Sequence, residues 1–232
     1  MSPEEGRISW TALVALAAGA VAFVPGAAEL LALDRDVVAS GAAWPLLTGH
    51  LVHWSTGQLL WDVGTFAALG FASERVARSR VAPTLLASAA LVSAAFWFAL
   101  PDLAAYRGLS GVDCALGGLL AGSLLRTALE DGRLRGAAVA AGIATFLAGK
   151  IAWEVGTGGT LFVPSMGTGV VAVPLAHAVG GAVGALIGSW PRRGVFARLW
   201  RWIGRLESPK LPIVSTAATG RSFRRPAARL VD

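Results

Sequence analysis

Ser110 and His177 are the residues of this sequence whose types and surroundings could do chemistry. Ser110 lies in the run Tyr106-Arg107-Gly108-Leu109-Ser110-Gly111, where a polar loop meets an apolar stretch. His177 lies in a second apolar stretch, Pro174-Leu175-Ala176-His177-Ala178-Val179-Gly180-Gly181. A serine hydroxyl is a weak nucleophile until a neighbouring base takes its proton. A neutral imidazole titrates in the right range to do so. Taken alone, Ser110 reads as a small residue at a helix contact, and His177 as a histidine hydrogen-bonded between helices. An ionisable group inside an apolar span is nevertheless a functional candidate by default. Together they form a candidate hydrolytic dyad inside a bilayer.

The elements that must position them are membrane helices. The chain has 232 residues, of which 55% are hydrophobic and 15% charged. Soluble domains average about 45–50% apolar and about 25% charged. Six runs approach the length of about 20 apolar residues that a span requires: 9–32, 56–73, 83–100, 110–128, 136–153 and 171–189. The expected fold is all-α, a six-span membrane domain over residues 1–190 with an interfacial first loop. Residues 34–55 mix Trp44, Leu46, Leu47, Leu51 and Trp54 with Asp34, Asp36, His50 and His53. That mixture suits a partly buried segment at head-group depth.

The net charge of +6 is unevenly spread. Residues 191–232 hold ten of the twenty Lys and Arg and two of the fourteen Asp and Glu, so the tail is +8 and the rest −2. A basic tail beside anionic lipid fits this better than nucleic-acid binding. The tail reads as amphipathic up to about Arg205, with Trp200 and Trp202 among arginines, and as disordered beyond Ser208. Arg75, Arg78, Arg80, Arg133 and Arg135 fall in the same set of loops as the tail, which places both termini in the cytoplasm. Ser110 and the loop with His50 and His53 then face outward. The single cysteine, Cys114, makes no intrachain disulfide, and the N-terminal segment does not read as a cleaved signal peptide. No cofactor or metal is expected.

Glycines support the pairing. Gly180, Gly184 and Gly188 recur every four residues beyond His177, and Gly111, Gly117, Gly118 and Gly122 follow Ser110. Small residues at such spacing let helix backbones approach closely.

These residues resemble the rhomboid family of intramembrane serine proteases. Gly108-Leu109-Ser110-Gly111 is similar to its Gly-x-Ser-Gly motif. Ala176-His177 followed by Gly180 and Gly184 is similar to its Ala-His-x-x-Gly-x-x-x-Gly motif. Trp44, His53, Gly70 and Glu74 fall at the spacings of its first loop and second span. Pro45, Gln58 and Asp62 depart from that pattern, which has arginine, histidine and asparagine there, and Cys114 stands where a tyrosine often packs on the histidine. The runs His53-Trp54-Ser55 and Leu59-Leu60-Trp61-Asp62 look more like the rhombosortase branch.

The resemblance implies a serine endopeptidase of the bacterial plasma membrane that works without cofactor. Its substrates would be transmembrane proteins with C-terminal Gly-Gly-type anchors. It implies Ser110 as nucleophile and His177 as base, with no third carboxylate. Gln58 and the Ser110 N–H would bind the oxyanion, supported by His53, Asp62 and Gly108. An ionised Asp62 cannot donate a hydrogen bond, so either it is protonated or the hole relies on Gln58 and the Ser110 N–H. Two other readings remain: a catalytically silent relative that binds transmembrane helices, and a metal or proton site built from His50, His53, Asp62 and His177.

Overall fold

The structure is a computed structural model that describes residues 8–163 and 170–191. The described residues belong to one compact unit. The amphipathic and disordered stretches expected in the tail lie outside the described residues.

The apolar runs become helices. In chain order they are α1 (Trp10–Val21), α2 (Ala27–Leu31), α3 (Arg35–Ala39), α4 (Pro45–Thr48), α5 (Thr56–Ala99), α6 (Ser110–Asp131), α7 (Leu134–Thr157) and α8 (Pro174–Ser189). Three of them, α5, α6 and α7, are long and apolar enough to cross a membrane, and α1 and α8 are shorter apolar helices. Three such helices suggest a membrane protein.

Two expectations need correcting. The run 9–32 is not one helix. It stops at Val21 and restarts at Ala27, because Pro25 cannot continue an α-helical ladder and Gly26 takes a left-handed φ of 76°. The expected loop 74–82 is reduced to a kink. Residues 56–99, 44 in all, are two helical arms that meet at Ala77, whose φ of −148° and ψ of 43° are not helical, so the break falls inside the expected stretch. Pro83 lies just beyond it and removes the N–H that would bond the Ser79 carbonyl, which weakens the ladder there. A straight helix of that length would be about 66 Å long, roughly twice the hydrocarbon thickness, and the bend divides it into two arms.

Buried polar groups fix the helix ends. Glu74 Oε1 accepts from the Thr11 N–H (2.8 Å), the Thr11 hydroxyl (2.9 Å) and the Ser9 hydroxyl (3.0 Å), binding the start of α1 to the first arm of α5. Arg35 donates to the carbonyls of Phe96, Leu100 and Leu103 at 2.8–2.9 Å, closing the end of α5. Arg80 donates to Ile187 O (2.6 Å) and Gly188 O (2.8 Å), and Arg126 Nε donates to Gly188 O (3.2 Å). Two cations thus hold the C-terminal end of α8, where carbonyls lack helical partners.

The core is α6, flanked by α5, α7 and α8. Its packing on α8 is backbone to backbone. A Cβ at Gly180 would strike Gly111 O, one at Gly184 would strike Ala115 O, and one at Gly188 would lie 2.5 Å from Leu119 O. In return, a Cβ at Gly122 would lie 2.6 Å from Ala185 O. The first loop is tied to the chain before α6 by an antiparallel pair, β1 (Leu33–Asp34) and β2 (Ala105–Tyr106), with Leu33 opposite Tyr106.

Candidate active site

The close packing of α6 and α8 sets Ser110 beside His177. Ser110 is the first residue of α6, so its N–H and the next have no intrahelical acceptor. His177 lies in the first turn of α8, 5% exposed. Its Nε2 is 2.9 Å from Ser110 Oγ. Its Nδ1 is 2.6 Å from Glu154 Oε2.

Glu154 corrects the expected dyad. It projects from the last turn of α7 and is 1% exposed. Its other oxygen, Oε1, accepts from Lys150 Nζ at 2.6 Å. The carboxylate selects the tautomer: Nδ1–H donates to Glu154, so Nε2 is bare and accepts from the serine hydroxyl. Lys150 Nζ also lies 3.0 Å from Nδ1, but both atoms are donors in that tautomer, so the ammonium acts on Glu154. The run 136–153 stops one residue short of Glu154. A signal was present: Lys150 and Glu154 are one helical turn apart in an otherwise apolar helix, which is costly unless they pair and serve a site.

The supporting residues gather around the start of α6. Gln58, in the first turns of α5, accepts the Trp54 N–H through Oε1 (2.8 Å) and donates through Nε2 to Arg107 O (3.3 Å). Asp62, one turn further, accepts the Leu109 N–H through Oδ2 (3.2 Å). His53 Nε2 is 3.3 Å from the same oxygen, though off the line of a hydrogen bond. Asp62 Oδ2 therefore serves as an acceptor that holds the backbone just before Ser110. Gly108 has a φ of 131°, and a Cβ there would lie 2.5 Å from Gln58 Nε2 and 3.2 Å from Asp62 Oδ2. Only glycine suits both constraints.

Other residues fall elsewhere. His50 is buried behind the site, its Nε2 3.0 Å from Ala89 O and 3.1 Å from Ser93 Oγ. Its ring meets Tyr106 edge-on at 5.4 Å. The Tyr106 hydroxyl donates to Gly108 O at 3.3 Å. Burial holds the His50 pKa down at about 4 and pushes the Tyr106 phenol up. The set His50, His53, Asp62 and His177 is thus not assembled, and among the described residues no three His, Cys, Asp or Glu are grouped to hold a metal ion.

Two cavities meet at the Ser110–His177 pair. One, of about 470 Å³, lies among the first arm of α5, α6 and α7, with walls that include Trp61, Leu69, Phe146 and Leu147. Phe162 covers part of it, stacked on Trp61 (5.2 Å) and on Phe146 (6.2 Å). The other, of about 350 Å³, lies toward the loops beside Trp54, Arg107 and Val171. The Arg107 guanidinium rests 4.3 Å from the Trp54 ring.

No family model matches this chain, and no curated protein does. The functional reading rests on this geometry.

Proposed function

We propose that the chain is an intramembrane serine endopeptidase that cleaves the transmembrane anchors of other membrane proteins. The observation that carries it is the line Ser110 Oγ, His177 Nε2, His177 Nδ1, Glu154 Oε2, with steps of 2.9 and 2.6 Å, set in apolar helices beside an apolar cavity. Ser, His and a carboxylate in that order form the hydrolytic arrangement that recurs on unrelated folds.

In this reading Ser110 Oγ attacks the scissile carbonyl carbon while its proton passes to His177 Nε2. Glu154 holds Nδ1–H and balances the imidazolium that forms. The N–H groups that begin α6 and the Gln58 amide receive the developing oxyanion, at the positive end of the helix. The C–N bond breaks as Nε2 returns its proton to the amine. A water molecule, entering from the loop-side cavity, then attacks the acyl ester by the same route. Substrate helices enter between α5 and α7 and unwind. Glycine or other small residues near the bond lower that cost, because glycine is a poor helix former.

The reading extends to a six-span rhomboid-like bundle, with α5 crossing twice through its bend and α1 and α8 crossing as short spans. The finer assignment is rhombosortase-like: C-terminal Gly-Gly-type anchors as substrates, in a bacterial plasma membrane, both termini cytoplasmic.

The test is cleavage, in membranes, of a tagged substrate with a Gly-Gly motif, a C-terminal helix and a basic end. Ser110→Ala and His177→Ala are expected to abolish it at unchanged protein level. Cleavage of a general rhomboid substrate alone would remove the finer assignment. Retained binding of the helix without cleavage of any substrate would point to the silent, helix-binding alternative.

A further inference from the structure

Asp113 is unused by this mechanism. It lies one turn along α6 from Ser110, is 4% exposed, and lines the same cavity of about 470 Å³. Its Oδ1 is buried and has no hydrogen-bond partner among the described residues. A buried carboxyl without a partner is costly. The neighbouring charges are already engaged. Lys150 is taken by Glu154 at 2.6 Å. Asp62 faces His53 and the Leu109 N–H. The cavity therefore holds three carboxyl groups, Asp62, Asp113 and Glu154, against the single ammonium of Lys150. Asp113 also stands in the first turn of α6, where the helix dipole favours a negative group. The apolar walls above it suit the aliphatic stem of a long cationic side chain, whose head would reach the carboxylate.

We propose that this cavity is the subsite for a basic substrate side chain, lysine or arginine, adjoining the scissile bond, and that Asp113 selects it. The proposal rests on Ser110 being the nucleophile. Glycines flanking the basic residue would still supply the easily unwound backbone.

The experiment uses the full chain in detergent micelles and three phosphorus probes that label an active serine. A small fluorophosphonate tests the nucleophile alone. Two aminoalkyl phosphonate diphenyl esters, one with a lysine side chain and one with the uncharged norleucine chain, test the subsite. The lysine probe is expected to label Ser110 about tenfold faster than the norleucine probe, or more, as for one charge-assisted hydrogen bond. The ratio is expected to fall to about one in Asp113→Asn and to persist in Asp113→Glu. Labelling by the fluorophosphonate should be unchanged in both variants. A wild-type ratio near one overturns the proposal and leaves the protease reading intact. So does an unchanged ratio in Asp113→Asn. The wild-type ratio needs no variant, so poor folding of a substituted chain does not shield the proposal. Fluorophosphonate labelling no greater than in Ser110→Ala would overturn the nucleophile assignment, and the subsite with it.

Discussion

Helices α6 and α7 are similar in length and both apolar enough to span a bilayer, yet they stand in opposite surroundings. α6 buries 15 of its 22 residues, whereas α7 buries only Ala140 and Glu154 of its 24. Ser110, the proposed nucleophile, is therefore on a helix fixed by packing over most of its length. Glu154, the carboxylate beside His177, is on a helix with few buried residues. In the proposed reading a catalytic serine must be located to within fractions of an ångström, and the glycine contacts of α6 with α8 would supply that. A helix with few buried contacts has low local stability and can move, which in the proposed reading suits the partner of an entering substrate. Glu154 is then both the anchor of α7 and the report of its position: when α7 moves away, His177 loses its acceptor.

The contrast can be broken most strongly at the α6–α8 contact. Gly180→Leu forces a side chain into the Gly111 carbonyl. We expect loss of the folded state, at about 3 kcal/mol or more, seen as a collapse of thermal stability in detergent. The matching change on α7, Gly149→Leu, meets open space. It is expected to alter stability by less than about 0.5 kcal/mol, and equal losses from the two substitutions would refute the comparison.

Next in size is Glu154→Gln, which keeps the shape but cannot fix the same tautomer. A loss of about 10²–10⁴ in turnover is expected, with fluorophosphonate labelling of Ser110 slowed in parallel. Unchanged turnover would reduce Glu154 to a structural partner of Lys150.

The third effect depends on pH. His50 is neutral and buried, with a pKa of about 4 against 6.5 in the unfolded chain. Its contribution is full above pH 6.5 and is lost as pH falls toward 4, because the unfolded chain takes up the proton first. The fully developed term is on the order of 3 kcal/mol. Its loss should appear as a falling unfolding temperature across that window, flattened in His50→Gln.

The smallest expected effect is at the aromatic cover. Phe162→Ala removes the ring between Trp61 and Phe146. Substrate cleavage should rise a few-fold or stay level while fluorophosphonate labelling changes little. A large loss of both would place Phe162 in the catalytic geometry.

Much of this arrangement was legible in the sequence. Apolar runs locate the helices because burial and lipid both demand them, and the glycine spacing after Ser110 and His177 marks the closest contact. The break between the second and third runs was legible too, since Ala77 falls within 74–82; that a kink replaces a loop there was not. Arg78 pairs with Glu74 at 3.0 Å and Arg80 reaches the end of α8, so two of the three arginines in that stretch are held against the helical arms. Glu154 was missed for a related reason. Its spacing from Lys150 is visible, but only the fold shows that α7 turns that pair toward His177. The role of Asp62 depends on one backbone N–H, a partner that side-chain patterns do not reveal.

The lengths of α1 and α8 bear on the lipid around the protein. Helices of 12 and 16 residues extend about 18 and 24 Å, against a hydrocarbon layer of about 30 Å. Seated in a bilayer, each would draw the two leaflets together around it. In the proposed reading the surrounding membrane would then set how far a foreign helix must rise or sink to present its bond to Ser110, so acyl-chain length would act as a determinant of which anchors are cut.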